Sequence, residues 1–576
     1  MKKLLKYMRG YGKECVLGPL FKLLEASFEL LVPLVVASIV DTGVANRDTS
    51  YIIKMCLVMA LLGFIGLASS VTAQYFSAKA AVGFASRLRH AVMNHALRLG
   101  YEEIDQLGTS TLVTRMTADI NQVQNGVNMT LRLLLRSPFV VFGAMAMAFT
   151  IDAKAAMVFA VLIPVLCFVV FGIMLITMPM YRNVQQRLDG VTRATRQNLT
   201  GVRVLRAFGM EDEEVEAFAA QTQKLTKSQI NAGRVAGLLN PLTFVIVNLA
   251  VIVLIYTGGL QVEMGVISQG MVIALYNYMS QILVELIKMA NLIINMTKSA
   301  ACANRVASLL EIVPSQKNGR AETPLLGGVE FRDVSAKYPG ASAYSLEHIS
   351  FSVQPGQTVG VIGGTGSGKT TLVNLIPRFY DSAEGAVLLD GQDVRTLDRK
   401  ALRRQIGVVP QKAVLFHGTI RENLQWGRED AVDDELWQAL ETAQAREVVK
   451  DKEGELNAMV EQGGRNFSGG QRQRLTIARA LVRRPKILIL DDSASALDYA
   501  TDARLRMAIR NLQNPPTTFI VSQRAASVRY ADVILVLEDG MLVGKGKHEE
   551  LLETCPVYQE IYYSQFSKEV KSYAEG

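Results

Sequence analysis

Six stretches of this 576-residue chain are too long and too apolar for the core of a small soluble domain. A helix crossing hydrocarbon needs about 20 mainly apolar residues, and residues 15–40, 52–76, 131–150, 155–178, 241–260 and 271–296 reach that length. All six precede residue 312, which makes residues 1–312 a membrane domain. The rest of the chain must build a separate core, since single cores stop growing at roughly 250–300 residues. Six spans place the two flanks on one side of the bilayer.

The basic residues indicate which side. Lys2, Lys3, Lys6, Arg9 and Lys13 precede the first span; Lys79, Arg87, Arg89, Arg98 and Arg115 follow the second; Arg182, Arg187, Arg193, Arg196, Arg203, Arg206, Lys224, Lys227 and Arg234 follow the fourth. The alternate loops are short and carry little besides Arg47 and Lys154. Lysine and arginine remain cytoplasmic, so both termini are predicted on the cytoplasmic face of the cell membrane. The same bias accounts for the net charge of +8 and removes the case for a nucleic-acid partner. The first apolar stretch is interrupted by Lys22, Glu25 and Glu29 and has no small-residue cleavage pattern, so it reads as retained rather than as a signal peptide. Ahead of it, Leu4, Met8 and Tyr11 share a helical face suited to a membrane surface.

The two long basic segments are helical by pattern, so the spans are expected to continue beyond the bilayer as rods, with tips at 101–108 and 207–218. The five cysteines lack CxxC spacing and the five histidines lack zinc spacing, so neither a disulfide framework nor a zinc site is expected.

Polar residues inside the spans form two stripes. Lys22, Glu25 and Glu29 are spaced i, i+3, i+7 on the first span; Tyr278, Gln281, Glu285 and Lys288 are spaced i, i+3, i+7, i+10 on the sixth. An ionisable residue at mid-bilayer costs roughly 2.5–3.5 kcal/mol, so each stripe should face a bundle interior or a wet cavity. One reading makes Glu25, Glu29, Tyr278, Gln281 and Glu285 the wall of a cargo cavity, with the carboxylates favouring a cationic cargo. The other makes them intramembrane ion pairs, with Lys22 and Lys288 snorkelling.

Residues 313–328 lose apolar periodicity and read as a linker, and a second domain runs from 329 to 576. Within it, the buried-strand pattern Thr358-Val359-Gly360-Val361-Ile362 leads into Gly363-Gly364-Thr365-Gly366-Ser367-Gly368-Lys369-Thr370, with Thr371 opening a helix. This is a phosphate-binding loop in its strand–loop–helix setting. Its backbone N–H groups approach phosphate oxygens, Lys369 neutralises β/γ charge, and the Thr370 hydroxyl can bind Mg²⁺. A second strand, Ile487-Leu488-Ile489-Leu490, ends at Asp491, placed to join the Mg²⁺ shell. ATP and Mg²⁺ are therefore the expected ligands.

Between these motifs lies Phe467-Ser468-Gly469-Gly470-Gln471. After such a loop and before an aspartate-terminated strand, it resembles the signature motif of ATP-binding cassette proteins, with Phe467 in the usual leucine position. The whole chain resembles a half-size ABC exporter of the type IV (exporter type I) fold. That resemblance implies an all-α six-helix membrane domain followed by an α/β cassette with antiparallel-β and helical subdomains. It makes Tyr338 the aromatic that stacks on adenine, Gln411 the glutamine that reaches the metal and the attacking water, and Ser495-Ala496-Leu497-Asp498 the D-loop, with Asp498 near the nucleotide. Two cassettes of this family pair head to tail, so Ser468, Gly469, Gly470 and Gln471 would meet ATP held by another chain.

Two positions depart from the family. Asp492 stands where the catalytic glutamate is usual, and Gln523 where the switch histidine is usual. The shorter carboxylate is drawn back from water, and glutamine neither takes a proton nor carries the charge of histidine. The chain thus resembles the degenerate-site subunit of bacterial heterodimeric multidrug exporters. ATP is expected to bind here, with hydrolysis mainly at a partner half-exporter that has an intact glutamate and histidine. The cargo is expected to be amphipathic or hydrophobic: drugs, lipids or peptides. A homodimeric exporter with slow ATPase, or an ATP-gated regulator or channel, are the alternatives. The hairpin signal at 533–543 and a helix over 547–563 read as scaffold.

Overall fold

The computed structural model describes residues 2–338, 340–493 and 495–566. The side chains of Lys2 and Lys3 and the last residues of the second domain, 567–576, lie outside the described residues. The chain divides into two compact units, Met1–Leu97 with Ser110–Ile312 and Arg98–Thr109 with Val313–Gly576.

In the first unit, six helices among the described residues are long and apolar enough to cross a membrane: Gly12–Val44, Thr49–Ala96, Thr109–Ile151, Ala153–Thr200, Glu211–Glu263 and Gln269–Leu310. Each expected apolar window lies inside one of them. At 1.5 Å per residue, the 48 residues of Thr49–Ala96 extend roughly 72 Å, more than twice a hydrocarbon core of about 30 Å. The short loops between spans end in side-chain caps. Asp48 accepts from the Tyr51 N–H at 3.0 Å, Asp152 from that of Ala155 at 2.7 Å, and Ser268 from that of Met271 at 3.3 Å. Phe159, Leu166, Leu254, Leu275 and Ile282 are fully buried, while Phe64, Leu67 and Phe168 are exposed, as lipid-facing side chains are. At the N-terminus Lys2–Met8 forms a 3-10 helix. Leu4 is buried, and the Tyr11 ring sits against Gly83 with the Arg87 guanidinium 4.8 Å from its centre.

The second unit is built on a six-stranded sheet. In spatial order its strands are Met541–Gly546, Val533–Glu538, Thr358–Gly363, Thr517–Val521, Ile487–Asp491 and Ile406–Val409. The inner pairs are parallel, and Val521 lies opposite both Val361 and Asp491. Parallel register therefore brings the phosphate loop and Asp491 to the same carboxyl edge, where open α/β sheets bind ligands. A four-stranded antiparallel sheet, ordered Leu346–Val353, Val329–Ala336, Glu384–Leu389 and Gln392–Asp393, packs its apolar face into a shared core. The helices Asp433–Thr442 and Gly469–Val482 pack in a second cluster.

The segment before Val329 has no regular structure but is strapped to this unit. The N–H groups of Arg320 and Ala321 reach the Thr396 carbonyl, and the Asp390 carboxylate accepts from Leu326, Gly327 and Gly328. One expectation is corrected. The single helix over 547–563 is two, His548–Thr554 and Pro556–Gln565, with Cys555 extended between them. A residue preceding proline is pushed out of the helical region.

Candidate nucleotide site and membrane cavity

At the carboxyl edge of the main sheet lies a cavity of about 580 Å³. Of the residues singled out from the sequence, Tyr338, Thr365, Gly366, Gly368, Lys369, Thr370 and Thr371 line it. Gln411, Asp491, Asp492 and Gln523 line it as well. The loop between the strand Thr358–Gly363 and the helix Lys369–Leu375 is glycine-rich for steric reasons. A Cβ on Gly363 would collide with the Leu537 carbonyl oxygen, and Gly368, at φ +94°, would bring one to 2.6 Å from the Ser345 carbonyl oxygen. Lys369 is nearly buried; its ammonium donates to the carbonyls of Gly363 at 2.9 Å and Gly364 at 2.5 Å. Burial holds its pKa below the ordinary lysine range, against the opposing charges of Asp492 and Asp491.

The Thr370 hydroxyl donates to Asp491 Oδ1 at 3.1 Å. Burial raises the Asp491 carboxyl above the usual aspartate range, with the Thr370 bond opposing and the Asp492 charge reinforcing. A hydroxyl and a buried carboxylate converging beside a phosphate loop fit Mg²⁺, which takes one or two protein oxygens and completes its shell with phosphate and water. Asp492 adopts φ +46°, and its carboxylate accepts a long bond, 3.4 Å, from the Gln411 amide.

Ser468, Gly469, Gly470, Gln471 and Asp498 do not line this cavity. Ser468 instead caps the helix Gly469–Val482 in a reciprocal box. Its Oγ accepts from the Gln471 N–H at 3.3 Å, and its own N–H donates to Gln471 Oε1 at 2.9 Å. Asp498 caps Tyr499–Arg510 by accepting from the Thr501 N–H.

Sequence reasoning missed several neighbours. Tyr344, Ser345, Asp539 and Gly540 also line the cavity. Asp539-Gly540 was legible only as a turn; sheet pairing carries it there, with the Gly540 carbonyl accepting from the Glu347 N–H. Tyr380 meets the Tyr338 ring edge-on at 5.1 Å, and its hydroxyl donates to Asp105 at 2.5 Å. Asp105 belongs to the short helix Tyr101–Leu107, which also stacks Tyr101 on Phe379 at 4.4 Å.

In the membrane unit a second cavity, about 520 Å³, is lined by Glu29, Gln281 and Glu285 but not by Glu25 or Tyr278. Tyr278 is fully buried, its hydroxyl donating to the Leu30 carbonyl at 2.7 Å, and Glu25 is paired with Lys22 at 2.5 Å. Arg136, unremarked in the sequence, bridges Glu29 at 2.6 Å and Glu285 at 2.5 Å. Lys288 and the Ser137 hydroxyl, each 2.8 Å away, complete the shell of Glu285.

Known proteins share this architecture. Residues 15–286 match the ABC transporter transmembrane region and residues 346–495 the ABC transporter family. The uncharacterized ABC transporter ATP-binding protein YfiB of Bacillus subtilis (strain 168) is 34% identical over 570 residues, covering 99% of each chain. An ATP-dependent lipid A-core flippase of Vibrio parahaemolyticus is 27% identical over 98% of each chain. The solved structure of a bacterial Atm1-family ABC exporter with ATP bound, 22% identical, superposes with a TM-score of 0.79 over 96% of this chain and 98% of the other. The chain belongs to the ABC transporter family and has the type IV exporter fold, with one membrane domain and one nucleotide-binding domain.

Proposed function

We propose that this chain is the ATP-holding, weakly hydrolysing half of a heterodimeric exporter in the cell membrane, with both termini cytoplasmic. The observation that carries the reading is that Asp492 and Gln523 line the cavity, where the family resemblance leads one to expect a glutamate and a histidine. An aspartate held at Gln411 and a glutamine that takes up no proton make a poor general base, a loss of roughly 10²–10⁴ in rate. Binding does not depend on either residue. Tyr338 offers a ring to adenine, the loop amides and Lys369 hold phosphate oxygens, and Thr370 with Asp491 would hold Mg²⁺. When bound, Mg²⁺ neutralises phosphate charge.

Ser468 to Gln471 do not line this chain's own cavity, and we assign them to the partner's site, where the N–H groups at the start of Gly469–Val482 would meet a γ-phosphate. Tyr101–Leu107 is docked against Phe379 and Tyr380 and would pass cassette movement toward the spans. The cargo is amphipathic or hydrophobic, a reading to which the lipid-moving Vibrio relative lends weight. The test is the purified chain alone: it should bind ATP yet hydrolyse it slowly. Vigorous hydrolysis by a homodimer would sink the heterodimer assignment.

A further inference from the structure

The carboxylates of the membrane cavity appear in the sequence as acceptors for a cation, but in the fold each already has one. Arg136 pairs with Glu29 and Glu285, and Lys288 with Glu285, while Glu25, which does not line the cavity, pairs with Lys22. Two cations therefore meet the two carboxylates of the wall, for a net charge of zero. Both oxygens of Glu285 are engaged, and only 2% of the residue is exposed. A cationic guest would have to compete with these pairs for the carboxylates and approach Arg136 or Lys288 against like-charge repulsion.

We propose that this cavity selects an amphiphile without net charge, with Gln281 as its polar contact and Arg136 as the positioning residue that cancels the carboxylates. This rests on reading the spans as a cargo pathway. Gln281 lines the cavity, and its Oε1 is buried with no hydrogen-bond partner among the described residues. A buried amide oxygen left in that state is costly, and a hydroxyl or N–H of a neutral headgroup satisfies it. Asn277 lies one turn away on the same helix, while Val36 and Met59 supply apolar wall for a chain. Among the described residues, nothing in this wall offers an unpaired carboxylate.

The test uses the full chain in lipid nanodiscs and two probes that share a dansyl group and a dodecyl chain, one ending in a hydroxyl and the other in trimethylammonium. Saturable binding above that of empty nanodiscs is measured. The wild-type protein should bind the two within about threefold of each other. Arg136→Gln leaves one negative charge in excess and should shift preference toward the ammonium probe by roughly tenfold. Should that variant fail to fold, Glu29→Gln, at a half-exposed side chain, leaves one positive charge in excess and should shift preference the other way by a similar factor. Gln281→Leu should weaken the hydroxyl probe about fivefold and leave the ammonium probe, which donates no hydrogen bond, unchanged. A wild-type preference for the ammonium probe of tenfold or more, or a Glu29→Gln ratio equal to the wild type's, overturns the proposal while leaving the cargo pathway intact. Absence of saturable binding by either probe overturns the pathway itself.

Discussion

In the proposed reading, one methylene separates a water-activating carboxylate from the shorter one of Asp492, which accepts from Gln411. The backbone there is left-handed, φ +46°, which aspartate tolerates better than most residues. Asp492→Glu together with Gln523→His restores reach and supplies an imidazole, and should raise steady-state ATPase of the assembled complex roughly tenfold or more. Unchanged turnover would count against a degenerate site. Asp491 carries a different prediction. Burial holds its carboxyl above the usual aspartate range, and only the ionised form binds Mg²⁺. As pH falls, the Mg²⁺-dependent part of ATP affinity should therefore begin to decline above the free-aspartate value of about 3.9, whereas ATP binding measured without Mg²⁺ should lack that limb. Calorimetric titration with and without the metal reads the difference, and Asp491→Asn should remove it. These residues were legible in the sequence because short covalent spacing fixes them: a strand, a glycine loop and a helix leave Lys369 and Thr370 little choice of place. Arg136 was not legible. Its partner Glu285 is 149 residues away in the chain, and only helix packing pairs them.

The helix Tyr101–Leu107 is seven residues long, too short to be stable in isolation, so its form depends on what it touches. Tyr101 stacks on Phe379, and Asp105 accepts from Tyr380, whose hydroxyl pKa is raised by burial and by that carboxylate. Glu103 is desolvated, yet the N–H groups of Ser315 and Gly100 hold its carboxyl below the ordinary glutamate range. A depressed pKa in the docked state means that docking is fully supported above the free value of about 4.3 and is lost as pH falls through the lower docked value. Hydrogen exchange over 101–107, corrected for intrinsic rate, should stay flat from neutral pH to about 5 and accelerate only in stronger acid. Tyr101→Ala should remove about 1 kcal/mol of docking and speed exchange in this helix while leaving ATP affinity unchanged. The sequence placed a contact tip here from helical pattern and loop position. It offered no sign that the contact runs through Tyr380 to the Tyr338 ring, because that chain joins residues up to 275 positions apart. The break before Pro556 had a local signal in the proline itself, which the periodic apolar pattern on either side concealed.

For the whole molecule, the proposed division of labour would make the two motifs of this chain unequal. In a heterodimer whose active site is built on the partner's phosphate loop and aspartate-terminated strand, this chain's signature serves catalysis and its own phosphate loop serves retention of ATP. Gly469→Asp suits the first test. A side chain there meets open space and the backbone needs no left-handed conformation, so the fold should survive while a carboxylate confronts the partner's phosphate. Loss of that anion-binding helix start should lower hydrolysis by the pair on the order of a hundredfold. Lys369→Ala removes nucleotide retention in this chain and leaves the partner's site chemically whole, so hydrolysis should fall by far less, while ATP bound per dimer drops by half. In a homodimer each substitution would strike both sites equally, and the two variants would be inactivated alike. The ratio of the two losses, measured in the purified complex at saturating Mg-ATP, therefore separates an asymmetric machine from a symmetric slow one whatever the cargo is.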